Sequence, residues 1–189
     1  MFLFLRFLVP LLFLTQLVCA DEMSSNKARS MQAIKELGSS LKSSVQMAMK
    51  ESGPIGALEY CNVVALDITK ELSESLQLTV RRTSLKTRNK KNIPDDWEQK
   101  SLSVFTAQYI AGAEIKNMYF HEIVTTNNND RIYRFIKPIP TGKVCLTCHG
   151  SNISSDLAHK IKELYPDDKA VDFKLGHIRG AFSVTIPLD

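Results

Sequence analysis

Cysteine is scarce in this 189-residue sequence: four residues, at positions 19, 61, 145 and 148. No second pair of Cys or His stands at comparable spacing to Cys145 and Cys148, so a structural zinc site is excluded. No run of Lys or Arg is interleaved with aromatic residues. A net charge of +4 and a pI near 8.8 therefore make no case for nucleic-acid binding. Lys86, Arg88, Lys90 and Lys91 read as a solvated loop. Internal repeats and low-complexity tracts are absent. The one long apolar run, near the amino terminus, is too short and too weakly flanked for a secure membrane span.

What that run does offer is a leader. Residues 1–20 carry one charge, Arg6, then apolar residues, then Val18-Cys19-Ala20 as a small-residue cleavage site, with Asp21-Glu22 opening a polar chain. Gln16-Leu17-Val18 ahead of Cys19 makes a poor lipoprotein box. The expectation is an exported, periplasmic protein with a signal peptide at 1–20 and one domain over 21–189. Within that domain, 21–76 should be helical and 77–189 should hold the sheet. Removing Cys19 leaves three cysteines in an oxidising compartment.

Two of these lie in Cys145-Leu146-Thr147-Cys148-His149-Gly150. A Cys-x-x-Cys-His run is the attachment signature of c-type haem. Each thiol adds to one vinyl group on the same porphyrin edge, and a two-residue spacer lets one turn of chain reach both. His149 then falls beneath the ring, where its imidazole can take the proximal place on iron. A thioredoxin-like redox pair normally lacks this trailing histidine. The expected cofactor is one covalent haem c, whose propionates would bring the net charge near neutral.

The rest of the chain reads as helices followed by strands. Met31, Ile34, Leu37, Leu41 and Val45 recur at helical spacing, and Gly53-Pro54 ends that helix. Leu58, Cys61, Ala65, Ile68 and Leu72 continue in a second helix to about Ser75, so an antiparallel hairpin is expected, with Cys61 in its buried stripe. Leu78–Leu85 reads as a strand. Asp95 with Glu98 is a capping box opening a helix with Trp97, Leu102, Phe105 and Tyr109 on its apolar side. Residues 117–140 read as a β-hairpin turning at Asn127–Asp130. Ser154 or Ser155 starts a short helix carrying Leu157, Ile161 and Leu164, and Phe182, Val184 and Ile186 alternate as a final strand. The fold class is α+β with an antiparallel sheet.

A haem with one histidine ligand leaves the other face of its iron open. The methionine that usually fills it lies well downstream of the motif, and here every methionine precedes residue 119. The residues leave Cys61, Met118, His121, His159 and His177 as candidates, Cys61 first and His121 next.

Several stretches together resemble a known family. They are residues 57–65 (ALEYCNVVA), 81–89 (RRTSLKTRN) and 94–98 (PDDWE), the haem motif with Gly150, 165–168 (YPDD) and 179–184 (RGAFSV). They resemble the exported c-type haem proteins with a PAS-like sheet preceded by two helices, known from a cyanobacterial member and also as sensory input regions. The resemblance spans residues 30–188. It implies ligation of the haem by His149 and Cys61, and pairing of Arg81 and Arg82 with the propionates. Lys90-Lys91 departs from the family pattern, which tends to have proline after the asparagine.

A thiolate ligand favours ferric iron and a low potential. The expected function is electron transfer, or sensing of redox state or a diatomic gas. The partner would be a periplasmic redox protein or a separate signalling protein, since no output domain is expected after Asp189. A homodimer through the N-terminal helices is a further expectation. A filled iron argues against a peroxidase-like enzyme. The competing fold is a four-helix cytochrome c′ bundle with five-coordinate iron, which also carries its motif late in the chain.

Overall fold

A computed structural model describes residues 10–188, residues 10–20 by their backbone only. The expected leader, 1–20, therefore lies outside the described residues in all its side chains. Among the described residues no helix is long and apolar enough to cross a membrane.

Helix α1 (Pro10–Ser75) is two helices joined at Gly53, whose φ of 66° and ψ of −170° are open to glycine alone. Pro54 follows, where a missing N–H does no harm in a first helical turn. The arms fold back on each other as the predicted hairpin: Arg29, midway along the first arm, donates to the Leu76 carbonyl just beyond the end of the second (3.4 Å). Ala33, Ile34, Leu37 and Leu41 of one arm pack with Ala65, Ile68 and Leu72 of the other.

Four strands follow: β1 (Thr79–Thr83), β2 (Phe120–Thr125), β3 (Arg131–Pro140) and β4 (Ile178–Leu188). They form one antiparallel sheet in the order β1-β4-β3-β2. This sheet overturns the four-helix alternative. Strand β1 is shorter than the expected 78–85, because Ser84 turns aside, its hydroxyl donating to the Arg179 carbonyl (2.7 Å). Strand β2 stops opposite Ile136, so Pro138 and Pro140 of β3 leave no β2 acceptor without a donor.

Alternation puts two sets of side chains on the two faces. Val80, Tyr133, Phe135, Val184 and Ile186 face the α1 hairpin. Ile136 and Ala181 face the other way, against Leu102 and Phe105 of α2 (Asp96–Ile110). Each fully buried Phe or Leu here contributes about 1.5–3 kcal/mol. Helix α2 opens with the predicted capping box: Glu98 N–H donates to Asp95 (2.8 Å), and Asp95 N–H donates back to Glu98 (3.1 Å). After β3 come the four-residue α3 (Leu146–His149), which carries the haem motif, and α4 (Ser155–Leu164). Leu157 and Ile161 of α4 pack on Leu58, fixing the second arm of α1 beside the motif.

Candidate functional site

The α1 hairpin, the end of the sheet and the motif turn enclose a cavity of about 530 Å³, within the usual range for a cofactor site. The expected residues meet there: Cys145, Cys148 and His149 from the motif, and Cys61 from the second arm of α1. Cys61 is half-buried and faces the cavity rather than the core between the arms. No other histidine lines it. His121 lies in an aromatic stack with Tyr119 and Phe135, and His177 packs on Tyr109 (5.6 Å). His159 is exposed on α4, and Met118 is buried under α2. Of the five candidates for a second iron donor, Cys61 alone reaches the cavity.

His149 is held ready to ligate. Its Nδ1 hydrogen is donated to the Ala170 carbonyl (2.7 Å), which leaves the Nε2 lone pair free for a metal. Burial, then the nearby Arg88 and Arg179, push its pKa down to about 4, so the ring is neutral near pH 7. Phe173 meets it edge-on at 6.2 Å. Burial pushes the thiols of Cys61 and Cys148 upward, opposed by Arg82 and Arg88 respectively. Without a metal these sulfurs are protonated near neutrality, and a metal would draw off the proton.

The wall is cationic. Arg82 and Arg179 both line the cavity, and neither has a carboxylate partner among the described residues. Burial, and then repulsion from Arg179, lowers the pKa of Arg82. The Nε of Arg179 is buried without a hydrogen-bond partner. Two uncompensated guanidiniums facing one cavity call for anions, which the two propionates of a haem would supply. Among the described residues no group of three or more His, Cys, Asp or Glu could hold a bare metal ion. Two donors suffice only where the metal arrives inside a macrocycle, so the lining fits a haem.

The two arginines expected at the propionates part company. Consecutive strand residues point to opposite faces, and Arg81 turns from the cavity to bind Glu98 (2.9 Å) beneath α2. Arg82 remains.

A family model described as Tll0287-like matches residues 16–187. The chain belongs to the Tll0287-like family. Its fold is similar to that in "Crystal structure of the cyanobacterial heme-protein Tll0287", at 21% identity and a TM-score of 0.66, covering 87% of this chain and 96% of that one. No curated protein matches the sequence.

In this Tll0287-like chain two cavity arginines escaped the sequence reading. Arg88, read as a solvated loop residue, is largely buried: it forms a double hydrogen bond to Asp168 (3.1 and 3.0 Å) and donates to the Cys148 carbonyl (2.7 Å). Its partner lies 80 residues away, beyond the reach of any local pattern. Arg179 shares its parity with Ala181, which faces α2, so alternation alone would aim it away from the cavity. A register irregularity, with Ile139 opposite Gly180 and Pro140 opposite Ile178, leaves it unpaired and lets it line the cavity. Both belong to stretches that carried the family resemblance.

Proposed function

We propose that this chain is a c-type haem protein, with one haem bonded through Cys145 and Cys148 and its iron held between His149 and Cys61. The observation that carries this reading is the convergence of both motif thiols, a neutral imidazole with its Nε2 free, and Cys61 on one cavity. Bound haem supplies one-electron ferric/ferrous chemistry. The protein's part is to fix potential and access. Cys61 contributes an anionic sulfur donor, which favours the ferric state and lowers the potential relative to a Met/His pair. Ala170 orients His149, and Arg82 and Arg179 neutralise the propionates.

The activity we assign is non-enzymatic: low-potential electron transfer, or redox sensing passed to a separate partner, in the periplasm after removal of residues 1–20. A second sulfur donor in the cavity favours filled iron over the open iron of a peroxidase. The test is purification from a host that matures cytochromes. The expected product is coloured, with the mass of the polypeptide plus one haem, and its ferric spectrum changes in Cys61→Ser. A colourless product with the bare polypeptide mass refutes the covalent haem. An unchanged spectrum in Cys61→Ser removes Cys61 from the iron.

A further inference from the structure

The hairpin brings a second sulfur to the wall that carries Cys61. Met49, near the end of the first arm, lines the cavity, and it is the one methionine among the described residues to do so. Met49 stands four residues before the Gly53 bend and Cys61 eight residues after it. The two positions therefore differ by roughly 6 Å along the antiparallel arms, at about 1.5 Å per residue. Methionine has three rotatable side-chain bonds and a soft thioether, so it adapts to such an offset where a β-branched residue could not.

Resting on the His149/Cys61 reading above, we propose that Met49 is the iron ligand of the reduced protein, taking the place that Cys61 gives up. The two sulfurs suit the two oxidation states. A thiolate is an anionic donor and stabilises ferric iron, whereas a neutral thioether stabilises ferrous iron and raises the potential. One electron enters from a one-electron donor of low potential. With haem bound, the bond from iron to Cys61 sulfur would break, that sulfur would take one proton from water, leaving hydroxide, and a bond from iron to Met49 sulfur would form. Nothing else is consumed. Tyr165, which also lines the cavity, offers only a phenol, which ferrous iron binds poorly, and Lys42 on the same arm as Met49 carries an ammonium that has no lone pair until it loses a proton.

The test is proton NMR of the holoprotein reduced with dithionite under argon, on wild type, Met49→Leu and Met47→Leu. Met47 is exposed and does not line the cavity, so it controls for the loss of a methionine. Wild type and Met47→Leu are expected to show the strongly upfield-shifted side-chain resonances of an iron-bound methionine. Met49→Leu should lose them and shift the reduction potential downward, with its ferric spectrum unchanged. Absence of those resonances in reduced wild type, or their survival in Met49→Leu, overturns the proposal. A ferric thiolate spectrum that persists alongside that negative result leaves the Cys61 reading standing, so the two failures are distinguishable.

Discussion

Replacing Asp168 with alanine should loosen the whole motif turn. Arg88 and Asp168 are nearly buried, with 11% and 6% of their side chains exposed, and their contacts are 3.1 and 3.0 Å. The guanidinium also donates to the carbonyls of Cys148 (2.7 Å) and Ala170 (3.3 Å), and Asp168 accepts from Ala170 N–H (2.9 Å). The pair thus ties the motif to the carbonyl that orients His149. Asp168→Ala strands a buried cation, at a cost of about 3–5 kcal/mol. For a domain of this size that is roughly 6–20 °C in Tm, taking about 2–4 °C per kcal/mol. Arg88→Met combined with Asp168→Leu removes both charges and should recover part of that loss, staying below wild type by the hydrogen bonds that the Cys148 and Ala170 backbone groups no longer make. Urea denaturation of the holoproteins, followed by far-ultraviolet circular dichroism, reads all three. An Asp168→Ala variant within about 1 kcal/mol of wild type, or a double variant worse than Asp168→Ala, would refute this account.

Three further outcomes are expected. Glu98→Ala should cost about 3–5 kcal/mol in the same assay and leave the visible spectrum intact. It removes the capping box and the carboxylate shared by Arg81 (2.9 Å) and Arg134 (3.7 Å), beneath α2 and away from the cavity. Burial, then the charge of Lys27, holds the pKa of His121 below its ordinary value. The unfolded chain therefore binds the extra proton first, and the stability from this residue, complete above about pH 6.5, is lost as pH falls below that point. His121→Phe should flatten the decline measured by urea midpoints on the acid side of neutrality; an unaltered slope excludes the residue. Finally, a Cβ at Gly180 would come within 2.4 Å of the Thr83 carbonyl, so Gly180→Ala should force β1 from β4 and cost about 1–3 kcal/mol by calorimetry.

Local patterns made much of this molecule legible. The bend at Gly53-Pro54, the Asp95/Glu98 capping box and the Asn127–Asp130 turn all depend on neighbours within a few residues, and each stands where its signature lies. The motif spacing placed His149, and helical periodicity placed Cys61 among inward-facing residues, though not on the cavity rather than in the core. The electrostatics were less legible. Alternation states that Arg81 and Arg82 oppose each other but not which one meets the cavity, since that depends on α2 covering one face of the sheet. Arg88 sits in a run of basic residues that looks solvent-bound until the distant Asp168 folds onto it.

Strand β4, the last of the four in the chain, occupies an interior lane of the sheet, and its Thr185 lies opposite Thr79 across 106 positions. Neither neighbouring strand is complete without it. Closing so long a loop is slow compared with winding the helical hairpin, so the sheet is expected to close last. Arg179 travels in on the same strand. Until it docks, one wall of the crevice is missing, and on the proposed reading Cys145 and Cys148 would stay within reach of whatever machinery joins a porphyrin to them. The order of the strands would thereby give maturation its interval before the fold shuts.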